Sequence, residues 1–489
     1  MQELDIAKEV LLDISANDVA FAEALRKKFQ TDVSIRPLRS NVAGLVGCEL
    51  RHQLLFTYLL EPNKDWSVED KAYASLALAN EYFYKRFASA DVLAALKLKL
   101  GDAKFAVVEP LLQKAGKPEE YIPASVVRNS DQYLSLRYNT PEWVLKIWEH
   151  YGYGATYKIL RKNIRPLITS LRVRTDVLKT EDVIKNPDFK ATSVPDIVTY
   201  EGKVPLRRLD DVKQGKLFAE KAALKKVLDE FKVQEPCEAL IFNGNEDPAI
   251  LLEAVSSYRA SIGLNLGVYN TDKYVEVSRL IKSLNLHNVN FYSAADPMAM
   301  EAAISRPQDL VVACPNSSNF DLIREYPDYL LHFKKEGMDS LFAKEKAVLE
   351  GCSKFVAEHG TLIYMIFTIS RKEGHQTVSE FLEHHSEFSF VSETQLFPYE
   401  DLDTAMYYAV IKKEPKLAKV TPPLVDIVAK AASASAVAPA AAPAAAPKVE
   451  APKAEAKVEP AQAESKPVVT PSVAPVVASA KPAATPIEK

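Results

Sequence analysis

Apolar residues return every three to four positions in the first part of the chain, at Ile6, Val10, Leu11 and Ile14, and again at Val42, Leu45, Val46, Leu50, Leu54, Leu55 and Tyr58. That period puts them on one side of a helix, so residues 1–140 are predicted to be helical almost throughout and to close into a small bundle. Pro62 and Asn63 interrupt the pattern, and Ser67 followed by Asp70 has the chemistry of a helix start. Pro141-Glu142-Trp143 opens another helix that Gly152 and Gly154 end; a helix over Ala155–Asn163 and a strand-like run over Ser170–Thr175 come next. After a mixed connection the pattern changes. Glu238–Phe242, Asp309–Ala313 and Thr361–Phe367 are short runs rich in branched apolar residues, interleaved with helical patterns over Ala249–Val255 and Met338–His359. Strands alternating with helices make an α/β domain with a mostly parallel sheet, closed by strands over Thr394–Phe397 and Ala405–Ile411. In such a sheet ligands lie beyond the carboxyl ends of the strands. Those ends are Cys314-Pro315-Asn316-Ser317 and Phe367-Thr368.

From about Pro415 alanine, proline, lysine, valine and glutamate dominate, and no aromatic residue follows Tyr408. Such a segment cannot bury enough apolar surface to offset its ordering entropy, so residues 416–489 are expected to be a disordered tail, either a solubilising tether or a docking segment for a protein partner.

Charge changes the picture locally. The net charge of -4 gives no overall basic footprint for a nucleic acid. Lys158, Arg161, Lys162 and Arg165, however, fall at offsets of three, four and seven and form one positive helical ridge, to which Arg172 and Arg174 add. Such a ridge can track phosphates, or be a solvated basic face. The four cysteines, Cys48, Cys237, Cys314 and Cys352, are far apart with no paired spacing, which predicts neither a metal site nor a disulfide framework and fits a reducing cytoplasm. The first residues lack the basic-then-apolar layout of a signal peptide, and no apolar run is long enough to span a bilayer, so no membrane partner is expected.

Two segments carry a resemblance. PQDLVVACPNSSNFDLIREYPD and GTLIYMIFTISRKEGHQTVSEFL are similar, in order and spacing, to the FDxVLLDAPCSGTGxxRRxPD and GGxLVYSTCTxxxEENExVVxxFL segments of the RsmB/Sun/Nop family of RNA (cytosine-5) methyltransferases. The run from Pro141 to Thr175 resembles the family's PxWLVxxWxxxYGxExxxxLLxxNxxxPPLxLRVNT, and Arg39–Leu60 resembles a segment of its amino-terminal NusB-like domain. The resemblance implies a NusB-like helical domain over 1–140, a small RNA-facing α+β linker domain over 141–235, and a class I, Rossmann-like methyltransferase domain over 236–415.

It also implies a chemistry. Family members add a cysteine thiolate to carbon 6 of cytosine, a second cysteine assists product release, and S-adenosylmethionine supplies the methyl group. The positions of those cysteines fall here on Ser317, or Asn316 if Pro315 is the anchor, and on Phe367; the acid before the first falls on Cys314. A register slip would instead bring Cys314 into the nucleophile's place. The glycine-rich turn that cradles the cofactor is represented by Phe242–Pro248, with Gly244 as its glycine and Glu246 and Asp247 as added acids. The acid for the ribose hydroxyls corresponds to Asn270, or Asp272 if the turn is shifted, and the acid near the adenine to Ala295 or Asp296. Glu220 and Lys221 replace a glutamine and an aspartate of the family's lead-in segment.

Three readings follow. The chain is a catalytically degenerate relative that binds RNA, ribosomal by the family's substrate; or an active cytosine-5 methyltransferase with a relocated nucleophile; or a protein-interaction scaffold. Ser317, Phe367 and the glycine-poor turn favour the first over the second, and the basic ridge favours it over the third.

Overall fold

The apolar spacing of the first 140 residues is realised as successive helices, including Gln2–Asn17, Phe21–Thr31, Arg39–Leu50, Gln53–Leu60, Val68–Ala79 and Ser89–Leu112, in a computed structural model of the chain. It describes residues 1–415 except 115, 166, 232–236, 246, 259–261, 269–270 and 403; the expected tail lies outside the described residues. Ser67 starts its helix as its chemistry dictates. Its hydroxyl accepts from the Asp70 amide, and the Asp70 carboxylate accepts from the Ser67 amide, so two donors that the helix itself cannot satisfy are matched.

The helical core does not stop at residue 140. Trp148, Ile159 and Leu160, from the helices Glu142–Trp148 and Tyr153–Asn163, join it, as do Phe320, Met338, Phe342, Ile369 and Ala405 from much later in the chain. Strands β1 (Thr169–Val173), β2 (Phe189–Ala191), β3 (Ile197–Tyr200) and β4 (Leu217–Ala219) then form an antiparallel sheet in the order β2-β3-β1-β4. Only the first of these was legible as a strand, because the others are three or four residues long.

The large sheet contains β5 (Glu238–Asn243), β6 (Gly263–Val268), β7 (Val289–Ser293), β8 (Gln308–Cys314), β9 (Val356–Ile366), β10 (Phe388–Leu396) and β11 (Met406–Lys413). Its order is β10-β11-β9-β8-β5-β6-β7; β5 to β9 are mutually parallel, and β11 runs against both neighbours. Alternate residues feed two cores. Ala239, Ile241, Val312, Ile363 and Met365 face the helices Ala222–Glu230 and Pro248–Ser257, whereas Leu240, Phe242, Val311, Leu362 and Tyr364 face the other layer with Leu349, Cys352 and Phe381. Burial on both faces is why these strands read as continuous apolar runs.

The helix expected over Met338–His359 ends at Ser353, since β9 already begins at Val356. Strand β10 starts at Phe388, six residues before the expected run, and its exposed edge accounts for its polar sequence. The strand order reverses between β5 and β8, and a crevice beyond their carboxyl ends is the ligand position of such sheets.

Candidate active site

Ser317 and Phe367, fifty positions apart, meet beyond that edge. The Ser317 hydroxyl lies 3.0 Å from the Phe367 carbonyl and 3.0 Å from Asn319 Oδ1, and it accepts from the Asn319 amide at 3.2 Å. Both residues are buried. The partners of the hydroxyl are a carbonyl and an amide, and neither can take its proton as a general base. The Phe367 ring offers no nucleophile. Cys314 ends β8 with its side chain wholly buried in the sheet core, and burial pushes its thiol well above the ordinary range. It is therefore a packing residue, and no register slip brings it to the cleft.

Glu373 holds the two strand ends together. It accepts from the Ser318 amide at 2.6 Å, from the Ser318 hydroxyl at 2.7 Å and from the Thr368 hydroxyl at 2.5 Å, while the Tyr364 hydroxyl donates to its backbone carbonyl at 2.9 Å. The loop after β8 reaches further. Tyr329 donates to the Ser318 carbonyl, Arg324 Nε donates to the Arg165 carbonyl at 3.1 Å, and Asp328 accepts from the Phe21 amide at 2.8 Å. Phe320, from the same loop, packs on Trp143 and Trp148 with ring centres 6.1 and 6.3 Å apart.

The residues at the cofactor position do not fit S-adenosylmethionine as the family's motifs imply. A side chain at Gly244 would meet Cys314 O and Pro315 Cα at 3.2 Å, so this glycine serves the close approach of the chain to itself. Its amide donates to Cys314 O at 2.7 Å. Asp247 caps the following helix by accepting from the Ala249 amide at 3.0 Å, and so takes the positive helix end that would receive the cofactor's carboxylate. Lys221 pairs with Asp321 and lies 5.1 Å from the centre of the Phe367 ring. Burial lowers the affinity of Lys221 for its proton, but Asp321, Asp247 and Glu325 outweigh this and hold it charged. Asn270, Glu246 and the side chain of Asp272 lie outside the described residues. Asp296 is exposed and caps a short helix, accepting from the Ala299 amide at 3.2 Å.

The basic ridge is realised in part. Lys158, Arg161 and Arg165 are exposed and Lys162 is half-buried, on or just after the helix Tyr153–Asn163. Lys158 lies over the Tyr399 ring at 5.4 Å and Arg161 over the Tyr157 ring at 5.8 Å. Arg172 and Arg174 do not extend it. They are 8% and 4% exposed, Arg172 on β1 and Arg174 directly after it; Arg172 donates to Glu253 at 2.9 Å and Arg174 pairs with Asp176 at 2.8 Å. Their partners satisfy them inside the fold, which corrects the expectation that they face a phosphate backbone.

Glu220, at the family's glutamine position, is buried against Glu253, and burial followed by repulsion from Glu253 raises its carboxyl well above the ordinary range. Neither carboxyl oxygen of Glu220 has a hydrogen-bond partner among the described residues, and Glu253 already accepts from Arg172 and from the Ser257 hydroxyl. Because the folded state keeps a proton that the unfolded chain loses above the usual carboxylate range, this pair weakens the fold as pH rises. Glu220→Gln, which is neutral at every pH, is expected to be more stable than the unaltered chain at pH 8, with the difference shrinking toward pH 5 in urea titrations.

No protein-family model matches the chain. It is 22% identical over 407 residues to the probable ribosomal RNA small subunit methyltransferase B of Bacillus subtilis, covering 78% of this chain and 89% of that protein. The solved structure of PH0851 superposes with a TM-score of 0.63 at 15% identity, covering 84% of this chain and 99% of the other. A methyltransferase homolog protein from Pyrococcus horikoshii aligns over 59% of this chain and 100% of its own, at 12% identity and a TM-score of 0.49. The sheet order and the helical segment ahead of it define a mixed α/β protein with a Rossmann-like methyltransferase domain. Within that class its sequence likeness is to the probable ribosomal RNA small subunit methyltransferase B of Bacillus subtilis.

Proposed function

We propose that this chain is an RNA-binding member of its family that does not methylate cytosine. The observation that carries this reading is the contact of Ser317 with Phe367, at the two positions where the family's chemistry needs cysteines. Methylation at carbon 5 of cytosine requires a soft nucleophile at one position, and the hydroxyl and the ring supply none. The engaged Lys221–Asp321 pair and the Asp247 cap add a misfit toward the cofactor. RNA, ribosomal by analogy with the Bacillus subtilis relative, is the partner that the exposed Lys158, Arg161 and Arg165 fit. Cytoplasmic, ribosome-associated work and a NusB-like role for the helical domain belong to the same proposal.

Calorimetric titration of S-adenosylmethionine into the full chain tests the chemical half. The expected result is no binding heat at millimolar cofactor, and one-to-one binding with methyl transfer to RNA would overturn it. The binding half is tested by replacing Arg161 and Arg165 together with alanine. RNA affinity should fall, and the slope of log K against log salt should become shallower by about 1.4 for a single strand, reflecting two lost phosphate contacts. An unchanged slope would remove the ridge from the interface.

A further inference from the structure

The helical bundle contains a pocket of about 480 Å3 that neither RNA binding nor cofactor use explains. Leu11 from Gln2–Asn17, Leu60 from Gln53–Leu60 and Ala72 from Val68–Ala79 give it apolar walls. Glu49, near the end of the helix Arg39–Leu50, also lines it. The Glu49 side chain belongs to a residue only 2% exposed, and its Oε2 has no hydrogen-bond partner among the described residues. The Ser75 hydroxyl is beside the carboxyl, and burial raises its pKa to about 8. A buried carboxyl oxygen with no donor is costly, and a fold keeps one most readily where a ligand supplies the donor.

We propose that this pocket binds an aliphatic guanidinium or ammonium, its head paired with Glu49 and its stem lying on Leu11, Leu60 and Ala72. The mouth limits the choice further. Lys64 and Lys71 line it with Glu61, so positive charge is in excess there. A second cationic group at the far end of the ligand is repelled, which selects a monocation over a diamine. A free alkyl guanidine and an arginine side chain on a partner peptide present the same head and stem.

The test is a methyl NMR titration of the full chain with n-butylguanidinium, putrescine and acetyl-glycyl-arginyl-glycinamide. The guanidinium probe is expected to shift the methyls of Leu11, Leu60 and Ala72 saturably, and more tightly than putrescine. Glu49→Gln should weaken it by about tenfold or more, the loss of one charge-assisted hydrogen bond. Thr57→Trp, at an exposed position of the rim, should block the pocket with Glu49 intact, which keeps the test valid if Glu49→Gln unfolds. Tighter binding of the peptide than of n-butylguanidinium would identify a protein partner as the source, and the reverse a small molecule. No saturable shift with any of the three probes, or equal affinity in a folded Glu49→Gln, would overturn the proposal.

Discussion

Replacing Glu373 with alanine is expected to destabilise the chain by about 3–5 kcal/mol, the cost of removing one side of a buried hydrogen-bonded network. The Ser318 amide would lose its acceptor, and the Ser318 and Thr368 hydroxyls, 3.0 Å apart, would keep only each other, in a place that water does not reach. The loss is local in origin: these bonds join the loop after β8 to the end of β9, and with them Ser317 to Phe367. Glu373→Gln keeps the shape and one acceptor oxygen and should cost about 1–2 kcal/mol. Urea unfolding of both variants checks the order. Equal, small losses would mean that packing alone holds the strand ends.

Lys221→Met is the second large effect. The Lys221 side chain is 28% exposed and Asp321 only 1%, so the substitution leaves a carboxylate buried with Thr404 Oγ1, at 3.1 Å, as its remaining donor. The expected loss is about 3 kcal/mol near neutral pH. The sign of its pH dependence follows from linkage. Burial raises the Asp321 carboxyl and Lys221 lowers it. Without Lys221 the folded-state value rises further above the unfolded one, so the variant loses stability as pH increases through the carboxylate range and recovers part of it in acid. Unfolding at pH 5 and pH 8 measures this. A loss equal at both would show that Asp321 is not the group left unpaired. Lys221→Met combined with Asp321→Leu should recover much of the loss, since a buried ion pair exchanges well for apolar packing.

The sheet was legible because its strands are buried on both faces and so stay apolar for their whole length, as at Asp309–Ala313 and Thr361–Phe367. The meeting of Ser317 and Phe367 was legible too, through two motifs whose strands must be neighbours. The fate of Arg172 and Arg174 was not. A basic residue two positions from another on a strand shares its face, and whether that face looks outward depends on Glu253 and on the Arg174 contact to Ser283, both about a hundred residues away. The same distance hid the exchange of charge at Lys221, which reads as a lost acid in the sequence and as a new ion pair with Asp321 in space. Glu373 could have been noticed as an acid just after an apolar strand, but nothing in its neighbours announced that Ser318 would come to it.

The helical core borrows Phe320, Met338, Phe342, Ile369 and Ala405 from the far side of the chain, and the contact of Phe21 with Asp328 spans 307 positions. During synthesis, therefore, the bundle emerges from the ribosome with an apolar face that it cannot close until more than half of the remaining chain has been made. A nascent chain carrying only the helices offers that face to chaperones or to other nascent chains; the loop after β8 begins to cover it, and the bundle is complete only once Ile369 and Ala405 have followed.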